Sequence, residues 1–241
     1  MLQIVFAFYE TERDGLTNDH LVYHDDNFAK TYALWKDKKT GFLSTFPFGA
    51  FAFARLDERL KDSKIWNEAP RKEGRDPMGL SSKQPNVEYF TTECYGGPKQ
   101  FDKFPVDHKY AFSMISELFA PKSRGTVTLK SKDPQEKPVV DANYLADPLD
   151  LEVLAEACRF ANEIVMNGKG TQDIVKGSWP PELTHHKYTS REEWKQYVKD
   201  NATTCKSLSE TQARGAPAIL SAECTANERP RLPRCWHLRH G

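Results

Sequence analysis

The residue types able to do chemistry in this sequence are scattered, and few of them fall at useful spacings. His20 and His24 are four apart, as two metal ligands on one helix face would be, but no third ligand is spaced to join them. His185 and His186 are adjacent and point to different sides of any strand or loop, which reads as surface polarity. Lys36 to Lys39 reads as a solvated helix end and not as a phosphate site. Five cysteines (Cys94, Cys158, Cys205, Cys224 and Cys235) contain no C-x-x-C pair, so they read as structural thiols. There is no G-x-S-x-G elbow for a hydrolase, and no S-x-x-K. No G-x-G-x-x-G opens a helix, as a dinucleotide site would require, and Gly96-Gly97 precedes a proline and reads as a turn. The remaining cluster is aromatic: Phe46, Phe48, Phe51 and Phe53. Ordinary core packing is the favoured reading for these rings, and the lining of an apolar substrate pocket is the other.

The elements that must position such residues follow from periodicity. Leu2 to Tyr9 is apolar with β-branched and aromatic members, so it predicts a strand buried on both faces. A core strand this close to Met1 raises the expectation of a missing upstream portion. Phe28, Tyr32 and Trp35 predict an amphipathic surface helix over 27–39. Residues 45–56, interrupted by Pro47 and Gly49, fit neither period and suggest a loop against something apolar. Residues 61–85 predict a surface excursion anchored by Ile65, Trp66, Met78 and Leu80. Strands are predicted at 87–93, 110–119 and 126–131, the last two as a hairpin through Pro121, Ser123 and Gly125. Asp147 and Pro148 open a long helix whose apolar stripe ends at Gly168, and Ser190 with Glu193 forms a capping box for a second helix.

Composition excludes several classes. The 34 basic and 34 acidic residues cancel, so no basic field draws in nucleic acid or an anionic membrane. The apolar run at the start is too short to span a bilayer and lacks the charged region and cleavage site of a signal peptide. The 14 Phe, 9 Tyr and 5 Trp are enough for a real core. Residues 206–241 contain no Phe, Tyr, Val, Met or Asp, and Arg214, Arg229, Arg231, Arg234 and Arg239 crowd into them. That stretch is expected to be a loose, irregular tail, because it offers too little apolar surface to offset the entropy of ordering.

A family resemblance lies in the run Ser123-Arg-Gly-Thr-Val-Thr-Leu-Lys-Ser131, then Asp133-Pro134, then Pro138-Val-Val-Asp-Ala-Asn-Tyr-Leu-Ala-Asp147, then Asp150 to Leu154. It resembles the substrate domain of the glucose-methanol-choline oxidoreductases. Thr40 to Leu43 with Ala52 to Leu56 resembles a second family region, with Phe42 where proline is usual, and Asn201 to Cys205 is similar to the approach to the catalytic strand. The resemblance implies an α+β fold: about six antiparallel strands backed by helices over residues 1–205, followed by a tail over 206–241. It also implies FAD as cofactor, held by a separate Rossmann-like domain, and a small-molecule alcohol as substrate. A family histidine is expected directly after Cys205, where this chain reads Lys206-Ser-Leu-Ser-Glu210, and neither His237 nor His240 has the family's surroundings. No catalytic residue is therefore assigned. The tail is expected to be an out-of-frame or mis-spliced exon, since a shifted reading permits Ser-His after Cys205. The competing reading is a non-catalytic protein that keeps the pocket as a binding module.

Overall fold

The computed structural model describes residues 2–12, 16–25, 27–45, 48–96 and 103–204. Phe46, Cys205 and the 206–241 stretch lie outside the described residues. Among the described residues there are seven strands: β1 (Gln3–Thr11), β2 (Phe48–Ala54), β3 (Val87–Thr92), β4 (Ala111–Leu118), β5 (Thr126–Thr128), β6 (Val139–Asp141) and β7 (Val175–Ser178). The helices are α1 (Asn27–Lys38), α2 (Lys64–Glu68), α3 (Pro148–Asn167) and α4 (Arg191–Asn201). Five strands form one sheet in the order β2-β3-β4-β1-β7, while β5 and β6 pair as a separate ribbon, and all of these pairings are antiparallel. This is the α+β architecture that the resemblance implies.

All nine residues of β1 are buried, as its unbroken apolar run requires. The register sorts side chains onto two faces. Val5, Ala7 and Tyr9 share one face with Met114, Leu118, Val87 and Tyr89 and meet Val153, Leu154, Ala157 and Ala161 of α3 in the larger core cluster. Each of these large side chains contributes about 1.5–3 kcal/mol by leaving water. Polar anchors fix the helix on the sheet, with the Tyr9 hydroxyl donating to Asn162 Oδ1 at 2.9 Å. Helix α4 packs through Trp194, Tyr197 and Val198, and the Tyr197 hydroxyl donates to the Phe6 carbonyl at 2.8 Å.

The capping signals hold. The Asp147 side chain accepts from Leu149 N–H with Pro148 in the first turn, Gly168 closes α3, and Ser190 and Glu193 form the reciprocal box on α4. Between the helices, Glu156 is wholly buried and takes Arg59 (2.7 Å), Arg159 (2.8 Å) and Arg191 (3.0 Å). Glu152 takes Arg191 and Lys195 at 2.9 and 2.7 Å, so the 55–63 segment, α3 and α4 are joined by one ion network.

Two expectations are corrected. Residues 48–54 form edge strand β2 and not a loop. The interruption that hid it is a register irregularity between Phe48 and Phe51, and a Cβ on Gly49 there would run into the Thr91 hydroxyl. The strands at 111–118 and 126–128 do not form a hairpin: β4 already has β1 and β3 on its two edges, so β5 turns to β6 instead. The intervening turn is captured by Asp150, whose buried carboxylate accepts from Lys122 N–H (2.7 Å), Ser123 N–H (2.8 Å) and the Gln3 amide (3.3 Å). Gly125 is needed because a Cβ there would collide with the Asp141 and Ala142 carbonyls.

Replacing Asp150 with alanine leaves the buried Ser123 N–H and the half-buried Lys122 N–H without an acceptor and should cost about 2–4 kcal/mol, read as a lower urea midpoint at unchanged m-value. A variant as stable as the parent would show that the turn is held by something else.

Candidate functional site

The sheet face opposite α3 is the place where side chains of different strands converge without a covering helix. Cross-strand register puts Phe48, Phe51 and Phe53 of β2 on this face, next to Glu88, Phe90 and Thr92 of β3, then Glu117, Ile115 and Ser113 of β4, then Ile4, Phe6 and Phe8 of β1. Toward β7 it is closed by Tyr95 and Trp179, with Tyr23 and Phe104 packed alongside. Toward β2 it is open, with Phe51 45% and Phe53 60% exposed.

The candidate phenylalanines are therefore brought together, with Phe46 outside the described residues. Phe51 stacks on Phe90 at 5.2 Å, Phe48 meets the same ring edge-on at 5.4 Å, and Phe53 stacks on Phe119 at 5.9 Å. They form an aromatic strip on an edge strand, touching the smaller core cluster through Phe90 and half-open to solvent beyond it. Such a surface can recognise an apolar group but holds no proton donor or nucleophile of its own.

Two carboxylates on the same face went unnoticed in the sequence. Glu117 and Glu88 are directly paired across β3 and β4. Burial, and secondarily the Glu88 charge, push the Glu117 carboxyl up to about 7, and burial also raises Glu88. The available signal was an acid in the middle of each otherwise apolar strand, at positions 88 and 117.

The histidines resolve into structural roles. His24 Nε2 lies 2.8 Å from both the Pro105 and Lys109 carbonyls, and the short 3-10 turn Asp19–Leu21 ends before it, so His20 and His24 do not share a helix face. Among the described residues no group of three or more His, Cys, Asp or Glu is placed to hold a metal ion. His185 is not a surface residue: its Nε2 donates to the Phe8 carbonyl at 2.9 Å and its ring sits among Tyr9, Trp194 and Tyr197. Burial pushes its pKa down to about 3, so it is neutral there. His186 Nδ1 accepts from Ser178 N–H at 3.0 Å and ties the same turn to β7. Adjacent histidines give no sequence signal of such a fold-back, which is why the surface expectation failed for His185. The Cys94 and Cys158 thiols are each pushed up to about 12 by burial and are inert.

Among the described residues no turn is built to hold the pyrophosphate of a flavin dinucleotide. That group needs a glycine-rich turn between a strand and a helix with free N–H groups. Here the sheet pairings are antiparallel, and Asp147 and Ser190 already take N–H groups at the starts of α3 and α4. Among the described residues no helix is long and apolar enough to cross a membrane.

Glu117 and His185 set opposite pH limits. Glu117, raised from 4.5 to about 7, holds its proton more tightly when folded, so its contribution is lost as pH climbs through that window. His185, lowered from 6.5 to about 3, acts in the other sense, and its contribution is lost as pH falls below 6.5. Glu117→Gln should therefore remove about 1 kcal/mol, after solvent screening, of the stability loss between pH 5 and 8, measured by thermal melts across that range. Parallel pH profiles for variant and parent would refute the assignment.

Comparison with known proteins agrees with this geometry. A family profile described as GMC oxidoreductase matches residues 121–213. Versicolorin B synthase of Aspergillus parasiticus is 38% identical over 96 residues, covering 40% of this chain and 14% of that protein. A glucose methanol choline oxidoreductase of Aspergillus terreus is 24% identical over 212 residues, covering 88% of this chain and 32% of its own length. The fold is similar to that of formate oxidase from Aspergillus oryzae, with a TM-score of 0.71 at 23% identity over 85% of this chain and 35% of that one. The chain thus spans about a third or less of the length of these relatives. From the motif-bearing turn held by Asp150 through α3 and α4, sequence and fold point the same way: residues 121–213 match the GMC oxidoreductase family, and the fold around them is similar to that of formate oxidase.

Proposed function

We propose that this chain is the substrate-side portion of an FAD-dependent oxidoreductase acting on the CH–OH group of a small alcohol, and that by itself it neither holds FAD nor turns over. Residues 1–205 would be the substrate domain and 206–241 an appended stretch outside it. The single observation that supports the alcohol-binding role is the helix-free sheet face carrying Phe48, Phe51 and Phe53 within a family of oxidoreductases. Its apolar strip would seat the carbon side of an alcohol and exclude water from it.

The inactivity follows from chemistry that the chain lacks. Oxidising an alcohol requires a base within about 2.6–3.2 Å of the hydroxyl to take its proton. Directly after Cys205 the sequence reads Lys206-Ser-Leu-Ser-Glu210, with no histidine for that task. Glu117 is the titratable group of the open face whose pKa lies near neutrality, but its proton position serves no reaction without a hydride acceptor. This same deficit favours the second reading, a non-catalytic binding module that retains the pocket.

The purified chain should be colourless, should not quench added FAD fluorescence, and should reduce no dye in the presence of alcohols. A flavin-bound protein that bleaches on adding alcohol would overturn the inactivity. Separately, aryl alcohols at high concentration should shift the ring resonances of Phe51 and Phe53 and leave those of Phe28 unmoved. Shifts absent from the β2 rings would remove the pocket from the reading, and shifts present without turnover would leave the binding-module reading standing.

A further inference from the structure

Away from the aromatic strip, a cleft of about 610 Å³ lies between the 70–79 segment and the turn that follows β4. Four cations line it, Lys72, Arg75, Lys122 and Arg124, together with one acid, Asp76. The acid is already engaged: it is buried, and it accepts from the Arg55 guanidinium at 2.9 Å and from Leu80 N–H at 2.8 Å. None of the four cations forms an ion pair with a carboxylate among the described residues. The chain as a whole is neutral, with 34 residues of each sign, so this surplus is local.

The cations are also held in place. Lys122 Nζ donates to the Pro77 carbonyl at 3.1 Å across the cleft, Arg75 Nη1 to Gly79 at 3.3 Å, and Arg124 Nη1 to Ser123 at 2.9 Å. The turn bearing Lys122 and Arg124 is fastened through its backbone to the buried Asp150. Carbonyl tethers orient these charges without neutralising them. Positive charges lining one cleft repel one another, and a bound anion relieves that repulsion. A guanidinium presents five N–H donors in a planar fork that matches two oxygens of a phosphate, and lysine adds a point charge. The volume falls in the range of roughly 300–1,000 Å³ usual for small-molecule sites. A single carboxylate would satisfy one fork, whereas a phosphoryl dianion with three oxygens can meet both arginines and a lysine.

We infer that this cleft between the 70–79 segment and the 121–125 turn is a binding site for a small phosphate-bearing anion, with Arg75, Lys122 and Arg124 as its principal contacts. The site does not depend on the alcohol reading. It is tested on the full 241-residue chain with inorganic pyrophosphate as the probe, followed by ³¹P line width and by the thermal midpoint at low ionic strength. Inorganic phosphate, malonate and chloride at matched ionic strength serve as comparisons. Pyrophosphate should broaden and raise the midpoint by several degrees, inorganic phosphate should do so more weakly, and malonate and chloride should do neither. The K122Q/R124Q double variant should bind pyrophosphate at least 10-fold more weakly with an unchanged unliganded midpoint, because both side chains bond only to carbonyls. R75Q, which alters the opposite wall, should give the same loss. Absence of broadening, equal affinity in the variants, or an equal effect from malonate or chloride would overturn the site.

Discussion

The Asp150 carboxylate, wholly buried in the first turn of α3, accepts from two backbone N–H groups of the 121–125 turn and from the Gln3 side chain on β1. Three parts distant in sequence meet at this one charged group: the first strand, the turn after β4, and the long helix. Without it the turn would have to find other acceptors for one buried and one half-buried N–H group, at a cost comparable to a large share of a domain's net stability. With it, α3 lies across one face of the sheet, and that occupancy decides which face is left over. The aromatic strip, the paired glutamates and the basic cleft are all defined relative to this fastening.

The second layer of restraint is ionic. Glu152 and Glu156 face Arg59, Arg159, Arg191 and Lys195 at the junction of α3, α4 and the 55–63 segment. Burying such charges costs desolvation, so the network contributes less to net stability than its contacts suggest. What it adds is a penalty for any arrangement that strands one partner. It therefore favours a single docking of α4 on α3, and α4 in turn holds the His185 turn against β1 through Trp194 and Tyr197.

The two faces of the sheet differ in character. The α3 face is covered by packing and hydrogen bonds. The opposite face is closed near β7 by Tyr95 and Trp179 but half-open at β2, and there the apolar rings lie beside two carboxylates with raised proton affinity. An open apolar strip is unusual for a surface facing only water, and it is consistent with a surface shaped to meet a ligand or another part of a larger enzyme.

Much was legible from residue order alone. The nine buried residues of β1, the Asp147-Pro148 start and Gly168 end of α3, and the Ser190-Glu193 box of α4 are local patterns, readable because a strand's period and a helix's unpaired ends are set by neighbours a few positions away. The family resemblance was legible for the same reason, carried by the contiguous run from Ser123 to Leu154. What only the tertiary structure decided involves partners distant in sequence. β2 is a strand because β3 accepts it across a bulge, β5 pairs with β6 because β4 has no free edge, and His185 is buried because the chain folds back onto Phe8. Glu117 holds its proton tightly because the fold buries it and, secondarily, because the register sets it opposite Glu88. Phe48, Phe51 and Phe53 share one face through a pairing irregularity that no period in the sequence reveals, and the basic cleft exists only where residues 72–75 meet residues 122–124. Each of these depends on which chain segments the core brings together, and that depends on the burial of the whole chain at once.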